Sequence, residues 1–68
     1  MSNQQNEQHQ VGYLELFENA DPVFDNYDAA VADAMQKSHD EEESAFGIWH
    51  YDTGELVAIV HEGVLFTP

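Results

Sequence analysis

The strongest constraint on this chain is the short stretch Asp52-Thr53-Gly54, which separates two β-prone runs, Ala45 to Tyr51 and Leu56 to His61. Gly54 supplies the left-handed conformation that closes a type I turn with a G1 bulge, so the runs are expected to form an antiparallel hairpin. With Tyr51 opposite Glu55, one face carries Phe46, Ile48, His50, Leu56, Ala58 and Val60. Gly47, Trp49, Tyr51, Val57 and Ile59 take the other. Both faces are apolar, and a lone hairpin is marginal in water, so each demands a cover.

One cover is a helix. Phe24, Tyr27, Val31, Ala34, Met35 and Ser38 recur at three- and four-residue spacings, which predicts a helix over Asp25 to Ser38 with these residues toward the core. Asp25 is the expected N-cap, and Asp28 makes the first turn acidic, which complements the helix dipole. Asp28, Asp33, Gln36 and Lys37 lie mostly off the core face. The run Asp40-Glu41-Glu42-Glu43 would oppose the negative end of the dipole, so the helix should stop near His39. A strand is expected over Val11 to Phe17, broken by Glu18 to Pro22, and Val64-Leu65-Phe66 can add a short last strand after Glu62-Gly63. The expected architecture is an α+β domain, one helix on a small antiparallel sheet in the order β-α-β-β, with a short fourth strand. Residues 1–10 read as a polar, disordered leader and residues 11–68 as the single domain. One helix covers one sheet face, so the other, with Trp49, Tyr51, Val57 and Ile59, is the candidate apolar interface, and a homodimer is expected through it.

Charge narrows the function. Fourteen Asp and Glu stand against one Lys or Arg in 68 residues, a formal net charge of −13. That balance argues against direct contact with nucleic acid or an anionic membrane, because phosphate binding rests on Lys and Arg. The expected partner is a basic protein. No apolar run approaches the ~18 residues of a membrane span, no signal peptide is apparent, and the absence of cysteine suits a reducing compartment, so a cytoplasmic location is expected.

Catalytic chemistry finds little support. Asp52-Thr53-Gly54 is the triplet that carries the catalytic aspartate of aspartic proteases, but Glu55 would crowd a carboxyl dyad and the chain is too short for a substrate cleft, so the triplet reads as turn chemistry. There is no cysteine nucleophile and no glycine-rich phosphate loop, and Lys37 is the sole Lys or Arg. His9, His39, His50 and His61 show no metal-ligand spacing, with His9 in the leader and His50 and His61 on opposite faces. The acidic run lacks the alternating ligands and central glycine of a calcium loop. Neither an enzyme nor a metal or cofactor is expected.

Two functions remain. In the first, Asp28, Asp33, Asp40, Glu41, Glu42 and Glu43 form an electrostatic surface that occupies the basic face of a nucleic-acid-binding protein. Helical carboxylates four or five residues apart project roughly 6–8 Å apart, similar to phosphates along a strand. In its charge, the chain resembles the DNA mimics that phages and mobile elements use as inhibitors, which share acidity rather than a motif. In the second, the acidity serves solubility or high salt in a dimeric accessory domain. The two differ in distribution, since a mimic concentrates its carboxylates and a solubility device scatters them.

Overall fold

The computed structural model describes residues 7–16 and 21–68. Strands β1 (His9–Tyr13), β2 (Val23–Phe24), β3 (Phe46–His50), β4 (Leu56–His61) and β5 (Val64–Phe66) form one sheet in the order β2-β1-β3-β4-β5, antiparallel throughout. Helix α1 (Tyr27–Asp40) connects β2 to β3 and packs on one face of the sheet. The α+β expectation holds, with β2 added before the helix.

The core lies between helix and sheet. Val11, Ile48, Ala58, Val60 and the helical Ala30 and Ala34 are fully buried, with Phe46 nearly so. Small helical residues let the helix approach closely, while the branched side chains beneath contribute about 1.5–3 kcal/mol each on burial. Phe24, Tyr27, Val31 and Met35 close the margins. Ser38, also fully buried, donates its hydroxyl to the Met35 carbonyl at 2.9 Å and accepts the Gly63 amide at 3.0 Å. The last helical turn is thereby tied to the turn between β4 and β5.

The helix begins one residue later than expected. Asn26, not Asp25, has extended backbone angles and accepts the Ala29 amide on its side-chain oxygen at 2.8 Å. Both residue types cap well, and Asn26 is the one that immediately precedes the first helical residue, Tyr27. At the other end the helix runs to Asp40, where the Glu41 amide bonds the Lys37 carbonyl at 2.9 Å.

The first strand starts earlier and ends sooner than expected. His9 and Gln10, assigned by their polarity to the leader, are buried strand residues. Each side chain has a partner: His9 Nδ1 lies 3.1 Å from the Glu7 carbonyl, and Gln10 Nε2 donates to the Asp21 carbonyl at 2.9 Å. After Tyr13 the chain turns, with the Leu16 amide on the Tyr13 carbonyl at 3.2 Å. Phe17, the expected strand end, and residues 1–6 of the leader lie outside the described residues.

The hairpin forms with Gly54 in the left-handed region at φ 76°. Its register matches expectation from Phe46↔Val60 to Ile48↔Ala58, then shifts so that Trp49 pairs with Leu56. Val57 is the extra residue of this bulge. It packs against the helix-side core, not on the opposite face with Trp49, and Leu56 pairs across from Trp49 instead of joining Phe46 and Ile48.

The face away from the helix is partly covered from within. Trp49 is 9 % exposed. A Cβ added at Gly47 would fall 2.6 Å from its ring, so the indole lies across its own strand. Asp21 lies over Gly12 in the same way. No described helix is long and apolar enough to cross a membrane.

Candidate functional site

The topology brings several chain segments to one end of the sheet. Strand β1 ends there, helix α1 ends there, β3 begins there, and β4 turns into β5. The Leu14 amide on the Ala45 carbonyl at 2.9 Å joins the end of β1 to the entry of β3, and Ser38 joins the helix to Gly63. These bonds gather acidic residues that are far apart in sequence. Asp40, Glu41, Glu42 and Glu43 follow the helix; Glu15 and Glu43 line one shallow depression with Tyr13, Ser44 and Ala45; Glu42 and Glu62 line another with Ser38 and His39.

The backbone beneath this acidic end is ordered by its own hydrogen bonds. Besides the cap at Glu41, the Ser44 amide bonds the Glu41 carbonyl at 3.1 Å. The Tyr13 hydroxyl lies 2.8 Å from each oxygen of Glu41. That hydrogen bond, followed by desolvation and the Glu41 charge, raises the tyrosine above its ordinary value, since each disfavours a phenolate.

Two features make this end costly to the fold. The helix C-terminus is the negative end of the dipole, so acidic residues there destabilise by about 0.3–1 kcal/mol each at low salt. Glu62 adopts φ 53°, the one described non-glycine residue with positive φ, in a turn whose left-handed positions favour Asn or Gly.

The expected electrostatic surface is therefore divided. Asp40, Glu41, Glu42 and Glu43 come together, joined by Glu15 and Glu62, which the linear pattern did not single out. Asp33 instead forms an ion pair with Lys37 one turn on, which neutralises the middle of the helix. Asp28 sits in the first turn, roughly 18 Å along the axis from Asp40 by helical rise, where it favours the dipole. The expected apolar interface is also dispersed. Trp49 is largely buried, Val57 packs on the core, Tyr51 is half exposed in the hairpin turn, and Ile59 stands opposite Phe66 on the helix-free face.

His9 and His50 are directly opposed on β1 and β3, their rings 5.3 Å apart and edge to face, with Tyr27 against His9 at 5.4 Å. Among the described residues no group of three or more His, Asp or Glu side chains is arranged to hold a metal ion. No known family, curated protein or solved structure matches the chain.

Proposed function

We propose that this chain is a small acidic protein-binding module, an inhibitor or modulator that occupies the basic surface of a nucleic-acid-binding protein in place of phosphates. One observation carries the reading: Asp40 to Glu43, Glu15 and Glu62 converge on one end of the sheet, where the helix dipole opposes the run that follows the helix and the left-handed backbone strains Glu62. Acidity selected for solubility would favour sites that cost nothing, such as the helix N-terminus. Carboxylates kept at unfavourable positions point to selection for what they contact. Their concentration also steers a cationic partner toward this end and speeds encounter at low salt. Binding, not catalysis, is the proposed role, and the partner is a protein, since a surface of this sign repels nucleic acid and anionic lipid.

The immobilised protein, incubated with host lysate, is expected to capture a basic nucleic-acid-binding protein that elutes with rising salt and with added duplex DNA. Replacing Asp40, Glu42 and Glu43 by Asn, Gln and Gln removes charge while leaving the Tyr13–Glu41 contact, and should abolish capture. Capture that ignores the triple variant, or resists DNA, would overturn the reading in favour of solubility or salt adaptation.

A further inference from the structure

The fold sets two histidines side by side at the end of the sheet away from the acidic run. His9 opens β1 and is 5 % exposed, His50 closes β3 and is partly buried, and the register pairs them directly across the two strands. Strand alternation gives His9 the face of Val11 and His50 the face of Ile48, so both lie on the helix side. Their ring centres are 5.3 Å apart with planes inclined by 61°, and Tyr27, the first helical residue, stands 5.4 Å from His9.

Hydrogen bonding decides what these rings can do. The Glu7 carbonyl only accepts, so His9 Nδ1, 3.1 Å away, carries the proton, and Nε2 of the neutral ring keeps its lone pair. One nitrogen donating to a backbone carbonyl and the other bare is the arrangement of a metal-ligating histidine. His50 adds a buried Nδ1 with no hydrogen-bond partner among the described residues. Ring packing alone does not explain that atom, because a phenyl group would make the same edge contact without stranding a buried polar nitrogen.

We infer that His9 Nε2 and His50 Nδ1 together bind one divalent ion of the class that prefers imidazole, zinc above all. Two nitrogens held about 2.0–2.1 Å from a tetrahedral ion stand roughly 3 Å apart, which sets their ring centres roughly 5 Å apart. The observed 5.3 Å meets that requirement. Each ring turns freely about its metal–nitrogen bond, so the inclination of the planes is no obstacle. Two protein ligands are fewer than the four of a structural zinc site, so the ion is exchangeable and keeps water in its remaining positions. Charge favours its approach: the chain carries −13, and Asp28 in the first turn offsets the positive helix end beside the pair. The ion links the first strand to the β3–β4 hairpin in a chain that has no cysteine to do so. This site stands apart from the acidic end and does not depend on the proposed binding role.

Zinc chloride titrated into chelator-treated full chain at neutral pH should bind with one equivalent by calorimetry and raise the thermal midpoint. An excess of magnesium, which carboxylates hold and imidazoles do not, should leave that equivalent in place. His50→Phe keeps the ring packing and should weaken zinc binding at least about tenfold, since even the loss of a group that only supports a ligand costs that much. It should also abolish the rise in midpoint, whereas His39→Gln, beside the acidic run, should change neither. A second readout needs no variant: long-range proton–nitrogen NMR of the wild type should show the ring nitrogens of His9 and His50 shifting on zinc addition, and those of His39 and His61 unmoved. Absence of zinc binding, displacement by magnesium, full binding by His50→Phe, loss of binding in His39→Gln, or unshifted His9 and His50 nitrogens would each overturn the inference.

Discussion

The Tyr13 hydroxyl is held between the two carboxylate oxygens of Glu41, 2.8 Å from each, while its ring stacks on Phe46 with centroids 5.0 Å apart. The last residue of β1 thus fixes the first residue beyond the helix, and through it the loop that carries the acidic run. The contact needs a protonated phenol beside an ionised carboxylate. Because the folded-state value is raised above the ordinary 10.0, the stabilisation is fully present below about pH 10 and is lost as pH rises through the folded value. Ultraviolet titration should show one of the three tyrosines ionising late. Tyr13→Phe, which keeps the stack, should remove that late phase, and the stability gap between wild type and variant should close at alkaline pH.

His50, the last residue of β3, carries a buried Nδ1 that has no hydrogen-bond partner among the described residues. An unpaired buried polar atom costs about 1–3 kcal/mol, so an apolar replacement of similar shape should be neutral or stabilising. His50→Phe is expected to hold the unfolding free energy from urea denaturation or raise it by up to about 1 kcal/mol, while keeping the edge contact to His9. His9→Ala removes a buried ring that touches both His50 and Tyr27, and is expected to lose about 2 kcal/mol through the cavity left behind. Denaturation of both variants with an unchanged slope would check the contrast, and a destabilised His50→Phe would sink it.

The helix start separates two adjacent capping residues. Asn26→Ala should cost about 1 kcal/mol, because the Ala29 amide loses its acceptor, whereas Asp25→Ala should fall within about 0.5 kcal/mol of wild type. Thermal unfolding of the pair decides the matter, and equal losses would mean that the cap is shared.

Much of the fold is legible in sequence for identifiable reasons. Gly54 marks the hairpin because few other residues tolerate its conformation, and the spacing of Tyr27, Val31, Ala34, Met35 and Ser38 marks the helix face because all of them meet the sheet. The bulge at Val57 leaves no such mark, since period-two alternation is unchanged until one residue is skipped. His9 and Gln10 were hidden for a different reason. Their polarity suggests solvent, and only partners supplied by Glu7 and Asp21 make their burial tolerable. The site was half visible. Asp40 to Glu43 form a run, but Glu15 and Glu62 join them through strand order and through the Ser38–Gly63 hydrogen bond, neither of which composition encodes.

If the acidic end is retained for contact, the fold should improve when it is dismantled. Glu62→Asn relieves a left-handed backbone that Asn accepts more readily, an expected gain of about 1 kcal/mol. Neutralising Asp40, Glu42 and Glu43 removes repulsion from the negative helix terminus, worth about 0.3–1 kcal/mol per charge at low salt and less as salt rises. The same number of substitutions at Asp28, Asp52 and Glu55, distant from this end, should bring less, because Asp28 already favours the dipole. Urea unfolding of the two triple variants and of Glu62→Asn at low and high salt reads all of this directly. A larger gain from the distant set would mean that the charge acts only in bulk, and that the convergence of carboxylates at the helix end carries no special penalty for function to offset.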